Sequence, residues 1–201
     1  MTTSTAPVKT APGRPRLTGP QAAAARQLVT FAAALPVSPD AQVLALTIAA
    51  RAVRDGEANL TSMDLHRYSH PAGVLNELAG AGWISGELDR IIDADPAETF
   101  RVQAPGFTEL VDPPMGTLMR SRVSGWISRT LATKPLKKTG PTTRLAALAL
   151  VLHANPTTGI GTLPDDLPGQ VVTDLTPAWI SLQADGGYQL SESAAGCLPT
   201  G

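Results

Sequence analysis

The feature that most constrains this chain is a phrase that occurs twice. Residues 74–85 read VLNELAGAGWIS and residues 171–181 read VVTDLTPAWIS. In each, apolar residues at helical spacing (Val74, Leu75 and Leu78; Val171, Val172 and Leu175) run into a Gly or Pro stop, and Trp-Ile-Ser follows. Apolar positions three and four apart mark one face of a helix. Gly and Pro end helices, and an aromatic-aliphatic pair beyond the stop suits a strand. The second phrase has one residue fewer before its Trp. A chain that makes the same helix-to-strand junction twice is expected to contain two related units, with Trp83 and Trp179 each buried against the helices of its own unit.

The punctuation on either side extends both units. Pro20 and Pro36 bracket a helix over 21–35, with Leu28, Phe31, Ala32 and Leu35 on one face. Ser38-Pro39 reads as an N-cap and first-turn proline, opening a helix to Arg54 that buries Val43, Leu44, Thr47 and Ile48 and ends at Gly56. Thr61 with Asp64 reads as a capping box for a short helix holding Met63, Leu65 and Tyr68. Ser69 is placed to cap the next helix, with Pro71 in its first turn. The segments ELDRIID and TFRVQA, separated by ADPAE, read as a two-stranded hairpin.

In the second copy, a helix over 141–154 precedes a middle element compressed between Pro164 and Pro168. Asp185-Gly186-Gly187 is a hairpin signal, and YQLSE is the returning strand. Between the copies, residues 116–132 form a linking helix with Met119, Val123, Trp126, Ile127 and Leu131 as its apolar stripe. Arg122 and Arg129 share a face away from that stripe.

The order helix, short helix, helix, hairpin, with Leu75, Leu78, Gly82, Trp83 and Ile84 at the third-helix junction, resembles the winged-helix superfamily over residues 38–104. The resemblance implies a mainly α fold with short β-hairpins (α+β), built as tandem winged-helix units joined by a basic linking helix. The domain boundaries are expected at 1–19 (a disordered basic tail), 20–112 (a winged-helix domain with a leading helix), 113–140 (the basic linking helix and turn) and 141–201 (a second, shortened unit).

Formal net charge is only −1, but the charges are segregated. Residues 41–112 carry five bases and eleven acids, residues 113–153 seven bases and no acid, and residues 154–201 five acids and no base. Such asymmetry marks where a polyanion could sit. It singles out Arg120, Arg122, Arg129, Lys134, Lys137, Lys138 and Arg144 as a phosphate-contacting strip. The other reading of the strip is a solvated face that offsets the acidic units. On the third helix of the first unit, His70 and Asn76 are the base-reading candidates. Glu77 is expected to repel phosphate, and Arg67 on the preceding helix is within reach of the backbone. The second unit's helix, with Asp165, Asp166 and Asp174, is not expected to enter a groove. The segment PGRPR at 12–16 resembles an AT-hook core, which implies minor-groove contacts from Arg14 and Arg16 with Lys9 nearby. Pro12 stands where that motif has an arginine.

Other chemistry finds no footing in the sequence. His66 and His70 stand four apart, but Ser69 and Pro71 break the helix between them and no third ligand is near, so no metal site is expected. Cys197 is the single cysteine, which excludes an internal disulfide and suits a reducing compartment. No phosphate-binding glycine loop or nucleophile-elbow pattern occurs. No apolar run is long enough to span a bilayer. The expectation is a cytoplasmic protein with no cofactor and no catalytic residues: a sequence-specific, homodimeric transcriptional regulator bound to double-stranded DNA. A plasmid or phage replication or partition factor would read the same way. The alternative from another class is an acidic tandem winged-helix interaction module, like the accessory subunits of bacterial condensins.

Overall fold

A computed structural model describes residues 16–52, 55–112 and 114–200. The fold is mixed α+β, with small antiparallel sheets of two and three strands. The chain divides into two compact units: residues 27–124, and residues 125–200 together with the described residues up to Arg26. The boundaries fall inside the first helix, α1 (Gly19–Ala34), and the sixth, α6 (Thr117–Leu131).

Unit 27–124 is built on α2 (Pro39–Ala52), an almost wholly buried helix carrying Val43, Leu44, Leu46 and Ile48. It is followed by β1 (Glu57–Leu60), α3 (Ser62–Leu65), α4 (Pro71–Gly80), α5 (Leu88–Ile92) and β2 (Phe100–Gln103). The Thr61 capping box forms, with the Thr61 N–H donating to Asp64 at 3.0 Å. The helix it opens is shorter than expected: it stops at Leu65, and Met63 is exposed. Ser69 does not cap α4; His70 occupies the N-cap position, with Pro71 behind it.

The expected ELDRIID–TFRVQA hairpin does not form. Leu88 and Ile91, three residues apart, turn inward together on α5, and a three-residue apolar spacing suits a helical turn. The strand partner of β2 is instead β1, from Glu57 opposite Gln103 to Leu60 opposite Phe100. Ser85 bridges Gln103 on the other side of β2, so β2 runs between β1 and the residues just after Trp83.

The end of α4 explains why Gly82 precedes Trp83. Gly82 has φ +76°, its N–H donates to Ala79, and the Trp83 N–H donates to Leu78 at 2.9 Å. These two bonds are a Schellman motif, which needs a left-handed residue that glycine adopts without strain. Trp83 leaves this turn stacked on Phe107, ring centroids 5.7 Å apart, and edge-on to Phe31 of α1. It is half-buried, not fully buried as expected.

The other unit contains α7 (Pro141–His153), β3 (Ile160–Thr162), α8 (Gly169–Leu175), β4 (Ile180–Leu182), β5 (Gly187–Leu190) and α9 (Glu192–Ala195). Its sheet order is β3-β5-β4, with the last strand in the middle. The segment from Pro164 to Pro168 forms a turn, not a helix. Trp179 is fully buried, and its N–H donates to Leu175 at 2.8 Å. That bond spans four residues where Trp83 to Leu78 spans five, which accounts for the shorter second phrase. Tyr188 of β5 lies over Gly161 of β3 and donates to the Leu150 carbonyl of α7 at 2.5 Å. Leu17, within the segment read as a disordered tail, is buried, and its carbonyl accepts from the Thr200 N–H at 2.7 Å.

Candidate nucleic-acid interface

Within unit 27–124, α4 is held to α2 through a carboxylate. Glu77 accepts from the Ser38 N–H at 2.6 Å and from the Ser38 hydroxyl at 2.5 Å. Ser38 precedes α2, and its Oγ also accepts from the Ala41 N–H at 3.3 Å. The acid expected to repel a ligand is therefore half-buried and engaged at the start of α2. What α4 and its N-cap leave exposed is His70, Ala72, Gly73, Asn76 and Gly80, a neutral set of small residues around two hydrogen-bonding side chains. A Cβ added at Gly73 would meet only the His70 Cβ, at 3.8 Å.

Arg67 lies in the turn after α3 and is half-buried. It acts on Asp64. Burial by itself would raise the Asp64 carboxyl, but the Arg51 hydrogen bonds and charge, the Thr61 N–H and the charge of Arg67 together hold it below its ordinary value. Arg51 grips Asp64 with both terminal nitrogens, at 2.8 and 2.7 Å.

The strip read as one basic run is not uniform. Arg120 is half-buried and already engaged: its Nη1 donates to the Arg51 carbonyl at 3.1 Å and to Asp55 at 3.2 Å. A long side chain facing a helix C-terminus and an acid is drawn to both. Arg122, on the same helix, is exposed.

In the other unit, Arg129 is exposed and its guanidinium lies over Gly125. Arg144 is half-buried, its Nε donating to the Leu136 carbonyl at 3.3 Å and its Nη2 to the Lys137 carbonyl at 3.1 Å. Leu136 is buried, and its carbonyl also accepts from the Thr139 hydroxyl at 2.9 Å. Arg144 thus braces the turn that carries Lys134, Lys137 and Lys138, all three of which are exposed. Arg16 is half-exposed at the edge of the described residues; Lys9 and Arg14, and with them most of the PGRPR segment, lie outside those residues.

The second unit's α8 presents Gln170, Thr173 and Asp174. Asp174 accepts from the Gln170 side chain at 2.7 Å and from the Thr143 hydroxyl at 3.0 Å. Among the described residues no group of three or more His, Cys, Asp or Glu is placed to hold a metal. No helix among them is long and apolar enough to cross a membrane.

A cleft in unit 27–124, between the sheet and α6, gathers Arg51 and Arg101 with Arg120. Sequence reasoning missed it, since its walls come from segments far apart in the chain and the β1–β2 pairing that joins them carries no local signal.

Comparison with known proteins returns no match: neither a protein-family model, nor a curated protein, nor a solved structure is significantly similar to this chain.

Proposed function

We propose that the protein binds double-stranded DNA as a regulator and is built from two winged-helix units. The observation that carries this reading is the shared order in the two units. Each runs helix, strand, a connecting turn or short helix, second helix and a last antiparallel strand that returns to the first strand, with α5 inserted before that last strand in the first unit and β4 before it in the second. The winged-helix resemblance implies helix, short helix, helix and hairpin; the first unit has the three helices and the second has the hairpin. Fold alone does not fix function, so the site residues carry the rest.

In the first unit His70 and Asn76 offer donors and acceptors to base edges, on a helix whose one acid is turned away. In the second, Lys134, Lys137 and Lys138 supply phosphate contacts from a braced turn, with Arg129 there and Arg122 in the first unit as further exposed cations. The α8 helix, with no basic residue, stays out of the groove. Arg120 and Arg144 serve folding instead of DNA.

The acidic α8 favours a second reading, a protein-interaction module. Gel-shift titration of genomic fragments at two salt concentrations separates the two. The regulator reading expects retarded complexes that weaken at the higher salt and differ between fragments. No complex with any duplex at low salt would leave the interaction module as the account.

A further inference from the structure

The cleft in unit 27–124 has a volume of about 460 Å³ and no apolar side chain in its lining. Three arginines line it from three elements: Arg51 from α2, Arg101 from β2 and Arg120 from α6. The α6 helix adds hydroxyls from Thr117, Ser121 and Ser124, which fall on one helical face. Its first turn contains no acid, and the start of a helix attracts anions. From these features we infer that the cleft binds a small phosphate ester of a polyhydroxy compound, such as a sugar phosphate.

The ion pairs already present support an exchangeable anion. Arg51 is fixed by its two-pronged contact with Asp64, which lies outside the cleft lining. Arg101 makes one longer contact, to Glu57 at 3.3 Å, and Arg120 is held by the Arg51 carbonyl at 3.1 Å and by Asp55 at 3.2 Å, both through Nη1. Arg101 is 70% exposed and Asp55 55%, and exposed pairs of this kind contribute little. A phosphate offers several acceptor oxygens that match a guanidinium fork, so it can displace these carboxylates. Glu57 and Asn59 then remain to accept from or donate to hydroxyl groups on the same molecule. That pairing favours an ester over a bare ion. The volume lies in the range of about 300–1,000 Å³ usual for small-molecule sites. No apolar side chain lines it for a lipid or an apolar peptide to pack against. The inference does not depend on the DNA-binding reading.

The test is titration of the full chain with ribose 5-phosphate, inorganic phosphate and ribose, followed by NMR of the arginine side-chain N–H groups and by calorimetry. The expected result is saturable binding of ribose 5-phosphate that shifts the Arg101 and Arg120 signals, with inorganic phosphate weaker and ribose silent. Arg101→Gln, at an exposed position where folding is not at stake, should weaken binding about tenfold, the effect of one charge-assisted hydrogen bond. Ser121→Ala with Ser124→Ala should weaken it as well, with the thermal melting of the free protein unchanged. The inference is overturned if ribose 5-phosphate does not saturate, if ribose binds equally well, or if Arg101→Gln leaves the affinity unchanged. It is equally overturned if the arginine signals respond to a DNA duplex and to none of the small molecules, because the phosphate would then be that of the backbone.

Discussion

Glu77 and Ser38 join two helices through one carboxylate: Glu77, on α4, receives both the N–H and the hydroxyl of Ser38 ahead of α2. Glu77→Ala removes both acceptors and leaves the Ser38 N–H without its partner. The expected cost is about 1–3 kcal/mol, read as a lower urea midpoint. Glu77→Gln keeps one acceptor and should cost less. Asn76→Ala, one residue away but exposed, should stay within about 0.5 kcal/mol of the parent.

The two tryptophans that open the matching junctions should differ in weight. Trp179 is fully buried and its indole nitrogen has no hydrogen-bond partner. Trp179→Ala should therefore cost about 3–5 kcal/mol, while Trp179→Phe should cost much less, since no indole hydrogen bond is lost. Half-buried Trp83 is held by ring contacts with Phe31 and Phe107, so Trp83→Ala should cost roughly 1–3 kcal/mol. Acrylamide quenching should reach Trp83 and spare Trp179. Equal losses of stability in the two alanine variants would contradict this difference in burial.

Much of this fold is legible in the sequence because local punctuation carries it. Pro39, Pro71 and Pro141 stand at the first positions of α2, α4 and α7, and the Asp185-Gly186 turn marks the β4–β5 hairpin. The failures have a common physical cause, which is that the information is not local. The four residues of β1 become a strand only through β2, some forty positions on. The three residues of β3 include a glycine that the Tyr188 ring selects. Within the candidate site, the basic residues could be read as basic. That Arg120 and Arg144 are engaged with backbone carbonyls, and Glu77 with Ser38, depends on segments the sequence does not place side by side.

Acid should weaken unit 27–124 through Asp64. Its folded pKa lies below the ordinary carboxylate value of 3.8. A depressed carboxyl contributes stability that is complete above the unfolded pKa and is lost as pH falls through the folded one. Stability should thus fall below about pH 4 in the parent. Asp64→Asn should be less stable at pH 7 and should lose less between pH 5 and pH 2. Parallel pH profiles of the two proteins would rule this out.

The Gly161–Tyr188 contact sets a steric and an alkaline limit in the second unit. A Cβ at position 161 would come within 2.4 Å of the Tyr188 ring, so Gly161→Ala should cost about 1–3 kcal/mol or more. Gly169→Ala, with open space around it, should be tolerated. Burial pushes the Tyr188 phenol up to about 12 from 10.0. The neutral phenol's contribution is complete below pH 10 and is lost as pH rises through 12. Ultraviolet titration should therefore show a tyrosine that ionises only near pH 12, with unfolding accompanying it.

The salt dependence of DNA affinity tests the central claim most directly. If Lys137 and Lys138 contact phosphates, log affinity for a duplex should fall linearly with log salt, with a slope near −0.9 for each phosphate neutralised. Both side chains are exposed and their turn is braced by Arg144 and Leu136, so Lys137→Glu with Lys138→Glu should leave the thermal melt unchanged. The double variant should bind every duplex more weakly and lower the magnitude of the slope by about 2. A parent protein that binds no duplex at low salt, or a double variant with the affinity and slope of the parent, would contradict the account.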